Sequence, residues 1–355
     1  MAGDEGMFDD APRDHATQMR MLLYSQLVSR SVSVLVRLQI PEQLSGRSRS
    51  VQALADHTGA HPLALERLLR ALVPFGVLAE EAPGVFALTP LGATLRPDAV
   101  GSARPTAQLL AGEIGTTWTQ LEYTARTGQS AFQQVYGSDL FAYLEQQPEL
   151  REIFDRSQAA GLSLETDEIF SSISFDGYRH IVDVGGGDGA LLCAVLERAP
   201  GSVGTLVDLA GTVSLAEKRI AEEELTHRCA AVVGDFFDSV PAGKDLYLLS
   251  HILHDWDDGN ALRILRTCRA ALPEHGRIMV IDLVTDGCRS ADGGAGGHQL
   301  PAVMDLYMLS LFGASGGRER TRAAFATLLA DAGLVETEVR VLPSGMAVIT
   351  ACRGD

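Results

Sequence analysis

The segment His180 to Ala190, HIVDVGGGDGA, constrains this chain most. A short apolar run of β type passes into a glycine turn and then into the helix-forming run LLCAVLERA. Glycines at a strand-to-helix junction let the backbone turn tightly and approach a ligand, while the following helix offers unpaired N–H groups. A nucleotide-like cofactor fits such a place. Gly185, Gly187 and Ala190 also satisfy the dinucleotide spacing G-x-G-x-x-A, so the glycines alone do not decide. Asp183 tilts the choice. A carboxylate two residues before the first glycine repels a pyrophosphate but attracts the ammonium and sulfonium of S-adenosylmethionine.

A chain of 355 residues exceeds the usual size of one domain, so two are expected. The net charge of −17 argues against a nucleic-acid partner, which needs a basic face. The five cysteines (Cys193, Cys229, Cys268, Cys288, Cys352) are odd in number and lack C-x-x-C spacing. They read as thiols of a reducing compartment, with neither a zinc site nor a disulfide framework. The acidic opening, Met1 to Asp14, is no signal peptide, and no apolar run reaches the length of a membrane span. A cytoplasmic protein with no membrane partner is expected.

Along the chain, a helical pattern over about Ala16 to Leu38 is stopped by Pro41. Ser50 opens a helix that ends at Gly59, and His61-Pro62 opens a second that closes at Gly76. VLAEE, a turn at Pro83-Gly84, and VFALT then form a hairpin, completing a winged-helix unit. Such units often bind DNA, but the second helix offers only Arg67 and Arg70 as cations, which favours dimerisation. Several aromatic-bearing helices follow between about Thr106 and Ser172, Trp118 among their aromatics, mostly as core. From His180 on, strands and helices alternate, which implies a parallel sheet covered on both faces. The last two strands, VETEVRVL and MAVITACR, are joined too closely for a crossover and form an antiparallel hairpin. Residues 287–297 form a glycine-rich loop of unassigned role. The expected organisation is 15–104, 105–175 and 176–355.

Three strand ends add to the cofactor reading. Asp208 lies 19 residues beyond Gly189, where a carboxylate can accept both ribose hydroxyls. Asp235, in GDFF, can receive an adenine amino group, with Phe236 against the ring. The next strand delivers Ser250-His251-Ile252-Leu253-His254-Asp255-Trp256, where His254 is a candidate general base. A metal held by His251 and His254 is disfavoured, since HExxH and any nearby cysteine or third histidine are missing. The acidic run Asp255, Asp257, Asp258 does not match an EF-hand.

DVGGGDG, VDL, GDFF, HILHDWDD, MDLYML and GGRERT, followed by LLADAGL, together resemble the O-methyltransferase family that includes plant caffeic acid and bacterial polyketide-tailoring enzymes. The resemblance spans nearly the whole chain. It implies an α/β fold, a class I methyltransferase Rossmann-like sheet with an N-terminal all-α winged-helix dimerisation domain that builds a homodimer. It implies that His254 removes the proton of an acceptor hydroxyl, flanked by Asp282 and Glu319. Asp183, Gly185, Gly187, Asp208, Leu209, Asp235, Phe236 and position 250 fall on cofactor contacts, although Ser250 replaces the lysine of the plant enzymes and Asp282 replaces their glutamate. Asp255, Met304, Tyr307 and Met308 fall on the acceptor side, and Trp118 is added to them as one of the helix aromatics that can wall a pocket. The implied reaction moves a methyl group from S-adenosylmethionine to an aromatic hydroxyl, leaving S-adenosylhomocysteine, with no metal. Some family members keep the cofactor but hydroxylate or perform pericyclic chemistry; a winged-helix regulator is the other rival.

Overall fold

The computed structural model describes residues 11–286 and 299–354. The glycine-rich loop 287–297, Cys288 and the opening ten residues lie outside them. The chain divides into two compact units, one ending at Glu113 and the other beginning at Ile114.

In the first unit a long helix runs Ala11–Arg37 and is followed by a short one, Ile40–Gln43. The break lies at Gln39, whose φ of 54° is left-handed. Pro41 starts the next turn, where its missing N–H costs no hydrogen bond. Ser50 caps helix Val51–Thr58 by accepting from the Ala53 N–H at 3.3 Å, and Gly59 ends it in the left-handed region. The next helix, Pro62–Ala71, stops five residues before Gly76. Strands β1 (Arg49–Ser50), β2 (Leu78–Ala82) and β3 (Val85–Leu88) form an antiparallel sheet in the order β1-β3-β2. The helical unit thus carries a three-stranded wing, because Arg49–Ser50 joins the expected hairpin. Leu54, Leu65, Leu69 and Phe86 fill its core. Arg70, one of two cations on the second helix, is paired with Glu66 at 2.8 Å and Glu80 at 2.7 Å. Outward on the long helix, Met19, Leu22, Leu23 and Leu27 are 56–69% exposed.

The second unit is built on a seven-stranded sheet of β4 (His180–Val184), β5 (Val203–Asp208), β6 (Cys229–Val233), β7 (Leu246–Ser250), β8 (Arg277–Leu283), β9 (Leu334–Val341) and β10 (Met346–Arg353). Its order is β6-β5-β4-β7-β8-β10-β9; β10 runs antiparallel to both its neighbours, and the remaining pairs are parallel. Burial alternates along the strands onto two cores. Val182, Val184, Tyr247, Leu249, Ile278 and Val280 face the helices Asp258–Ala271 and Arg322–Asp331. Ile181, Leu246, Leu248, Met279 and Ile281 face Ala190–Arg198 and Ala210–Glu222. Burial on both faces explains why these strands read as continuous apolar runs. The chain leaves β4 toward β5 on one side, while β7 lies on the other, so strand order reverses at β4 and opens a crevice beyond the carboxyl ends. The helix Gln299–Phe312, absent from the sequence reading, carries Met304, Tyr307 and Met308. Among the described residues no helix is long and apolar enough to cross a membrane.

Candidate active site

The carboxyl end of β4 leads into Gly185, Gly187 and Gly189, with φ of 72°, 60° and 84°. These are left-handed values that side chains resist, so the turn needs glycine. Two positions also need space. A Cβ on Gly185 would meet Ile252 Cδ1 at 2.5 Å, and one on Gly186 would meet the Asp183 carboxyl at 2.7 Å. The loop therefore lies directly over Asp183, which is only 2% exposed. Burial, then the charges of Asp208 and Asp188, push its carboxyl up to about 7. Its Oδ2 has no hydrogen-bond partner among the described residues. A buried carboxylate so placed favours a cation and not a phosphate.

Asp208 ends β5 and accepts from the Gly187 N–H at 3.0 Å and the Leu209 N–H at 2.7 Å, which ties the second strand end to the glycine loop. Burial raises its pKa against those bonds. Leu209 is 58% exposed and opens the next helix. Beyond β6, Asp235 accepts from the Phe237 N–H at 2.8 Å, leaving its other oxygen free of that turn. Phe236 lies against Gly185, its Cε1 3.2 Å from where a Cβ would stand. It joins Phe237 and Trp256 in an edge-to-face cluster with centroids 4.7–6.1 Å apart. Ser250 Oγ, at the end of β7, is buried with no partner among the described residues. An unpartnered hydroxyl, the enclosed Asp183 and a glycine floor fit a cationic cofactor such as S-adenosylmethionine.

Next to this cradle, the turn Leu253–Asp255 presents His254, 6% exposed. Its Nδ1 lies 3.1 Å from Glu319 Oε1 and 3.4 Å from Asp282 Oδ1. Its Nε2 lies 3.7 Å from Asp255 Oδ1, beyond hydrogen-bond reach. In the neutral ring this network places the proton on Nδ1 and the lone pair on Nε2. Burial alone would lower the ring's pKa, but the charges of Asp282, Glu319 and Asp255 outweigh it and push it to about 10. Three carboxylates around one buried imidazole are an excess of negative charge. Burial accordingly pushes Asp282 up to about 7 and raises Asp255. Neither oxygen of Asp282 has a hydrogen-bond partner among the described residues. His251, His254 and Asp282 bring possible metal-ligand atoms within 4.8 Å of one another, yet His251 Nε2 is 2.8 Å from Glu165 and His254 Nδ1 faces Glu319.

Burial, and then the charge of Asp255, raise the pKa of the Tyr307 hydroxyl. Met308 is buried, whereas Met304 packs on the sheet core. Trp118 is half-buried in its own short turn, and no ring contact joins it to the His254 cluster among the described residues.

Arg320 is the residue that sequence reading missed. Its guanidinium is fully enclosed and donates to Leu253 O at 2.5 Å, Trp256 O at 2.6 Å and Asp258 Oδ1 at 2.9 Å. It therefore grips the turn carrying His254 from both sides. Arg318 donates its backbone N–H to His254 O at 2.7 Å. A Cβ on Gly317 would stand 2.5 Å from that same oxygen, so only glycine lets the segment lie so close. Glu319 is held by Asp305, whose Oδ1 accepts its N–H at 3.1 Å.

Comparison with known proteins adds to this geometry. Residues 118–335 match the model of an O-methyltransferase domain and residues 21–98 that of an O-methyltransferase dimerisation domain. The O-methyltransferase SfmM3 of Streptomyces lavendulae is 48% identical over 337 residues, covering 94% of this chain and 99% of that protein. The mitomycin 7-O-methyltransferase MmcR superposes with a TM-score of 0.86 at 32% identity, covering 97% of this chain and 99% of that one. The O-methyltransferase NcsB1 of neocarzinostatin biosynthesis, solved with S-adenosylmethionine and 2-hydroxy-5-methyl naphthoic acid, superposes with a TM-score of 0.76 at 34% identity, covering 92% and 96%. This chain belongs to the S-adenosylmethionine-dependent O-methyltransferase family.

Proposed function

We propose that the chain methylates a hydroxyl of an aromatic small molecule, of the phenol, quinone or polyketide-derived class, with His254 as general base. One observation carries this reading: Nδ1 of His254 is anchored on Glu319 and Asp282 while Nε2 has no hydrogen bond among the described residues. Anchoring one nitrogen fixes the tautomer and raises the basicity of the other. Asp183, Gly185, Gly187, Asp208, Leu209, Asp235, Phe236 and Ser250 would hold the cofactor, whose sulfonium supplies an electrophilic methyl carbon when bound. The chain then has two tasks, to place the acceptor oxygen in line and to remove its proton. Alignment of this kind lowers a barrier by about 7–11 kcal/mol, and a placed base gives about 10²–10⁴-fold. Asp255, Tyr307, Met308, Met304 and Trp118 would wall the acceptor. At neutral pH the isolated His254 ring holds a second proton, and positive charge entering the crevice lowers its pKa again.

In this reading residues 15–104 serve a homodimer, 105–175 help to form the acceptor pocket, and 176–355 hold the cofactor and the base. Neither nucleic acid nor membrane is a partner, and the protein works in the cytoplasm, where its thiols stay reduced.

The test is methyl transfer from labelled cofactor to a panel of phenols, which also separates this reading from hydroxylation and from a regulator. His254→Ala should leave cofactor affinity nearly unchanged and cut kcat by about two to four orders of magnitude. The deficit should shrink as pH rises, because a phenol with pKa of about 10 ionises unaided. For the parent, kcat/KM should climb along an acid limb lying above the ordinary imidazole value, since the base must be unprotonated to act. Asp282→Asn removes negative charge, so it should move that limb to lower pH. Parental activity in His254→Ala at neutral pH would remove the base assignment.

A further inference from the structure

The scheme above leaves a second histidine unused. His251 follows β7 with φ of 55°, a left-handed value uncommon for a side-chain-bearing residue. Its N–H donates to Ile281 O at 2.9 Å, which fixes it beside the strand position preceding Asp282. Its Nε2 is 2.8 Å from Glu165 Oε2, on the helix Pro148–Ser172, and its ring centroid is 5.4 Å from that of His254. Ligand-type atoms of His251, His254 and Asp282 all lie within 4.8 Å of one another. Asp282 is thus flanked by two imidazoles.

That placement answers a physical difficulty. Asp282 is 1% exposed and without a hydrogen bond among the described residues, and a bare buried carboxylate takes up a proton sooner than stay charged. Protonated, it would no longer support positive charge on His254. The charged groups acting on His251 are Glu165 from the helix, His254 and Asp255 from the turn, and Asp282 from β8. Burial opposes charge on the His251 ring, but the bond to Glu165 and its charge outweigh that.

We infer that Glu165 and His251 form a second positioning pair of the methyl-transfer site: Glu165 fixes the His251 imidazole beside Asp282, and through Asp282 the pair keeps a charged partner at His254. The inference rests on His254 being the base. It makes Glu165 a positioning residue acting at second hand, so its contribution must run through Asp282.

A double-mutant cycle on the full-length protein tests this. Glu165→Gln preserves shape and should lower kcat roughly tenfold, the scale of a lost charge-assisted bond, with cofactor affinity held within about twofold. Added to Asp282→Asn, it should cause no further loss, because the carboxylate it serves is gone. His251→Asn, whose side chain tolerates the left-handed backbone, should repeat the pattern. Histidine NMR should show the His251 ring titrating at lower pH in Glu165→Gln than in the parent. A Glu165→Gln enzyme with parental kcat, or losses that multiply in the double variant, would overturn the inference. An active His254→Ala enzyme would instead remove the base reading, whereas an inactive one with multiplying Glu165 and Asp282 losses removes only the pair.

Discussion

Arg320 offers the sharpest test of how the turn carrying His254 is held. Replacing it with methionine keeps an unbranched, flexible stem, although a shorter one, and removes every donor. Two carbonyls, the buried one of Leu253 and the part-buried one of Trp256, then lose their guanidinium partner. Each acceptor left bare costs about 1–3 kcal/mol. Asp258 is half-exposed, with 52% of its side chain open, so water replaces the lost ion pair and little is added there. The variant should therefore unfold with a stability lower by roughly 2–6 kcal/mol, read from urea denaturation. The catalytic effect comes from placement. The gripped carbonyls bracket His254 at positions 253 and 256, so releasing them frees the turn that aims the imidazole. A displacement of about 1 Å can cost on the order of 10²-fold in rate, and kcat should fall by that much. Asp183 and Asp208 stand on other strands, so calorimetry should find cofactor affinity within about twofold of the parent. Arg320→Lys should recover part of the stability and little of the rate, because an ammonium cannot match the planar fork that serves three acceptors. Parental kcat in a destabilised Arg320→Met would show that the grip serves folding alone.

Two further outcomes are expected. In the free protein near pH 6.5, Asp183, with its carboxyl pushed up to about 7, is partly protonated, so binding of a cation must lower its pKa and release a proton. Titration calorimetry in buffers of different ionisation heat should detect that proton at pH 6.5, less of it at pH 8, and none in Asp183→Asn; a buffer-independent heat in the parent would refute the charge argument. The exposed row Met19, Leu22, Leu23 and Leu27 should be covered by a second copy, so light scattering should give the mass of a dimer and Leu23→Asp with Leu27→Asp should weaken it; a fully active parental monomer would refute this.

How far the sequence spoke depended on whether each interaction leaves a trace along the chain. The inner strands β4, β7, β8 and β10 were legible because burial on both faces makes them continuous apolar runs, and Ser50 and Gly59 marked helix ends by their own chemistry. The helix Gln299–Phe312 was not, since QLPAVMDLYMLSLF is apolar on most sides and shows no 3.6-residue period to separate a buried face. His254 could be found because it stands at a strand end beside the cofactor turn. Arg320 could not, because two of its three acceptors are backbone carbonyls, which every residue carries and no letter of the sequence reports, and the third, Asp258, is 62 positions away. Glu165 is hidden for a related reason: its helix alternates charged and apolar residues, and only the fold joins it to a histidine 86 positions away. The histidine and the glycine turn are thus marked by their own local sequence, while Arg320 and Glu165 are joined to the site only by the fold. Residues of this second kind explain how a buried imidazole can be surrounded by three carboxylates and still keep one orientation. Their loss should therefore register in kcat and in its pH dependence before it registers in cofactor binding.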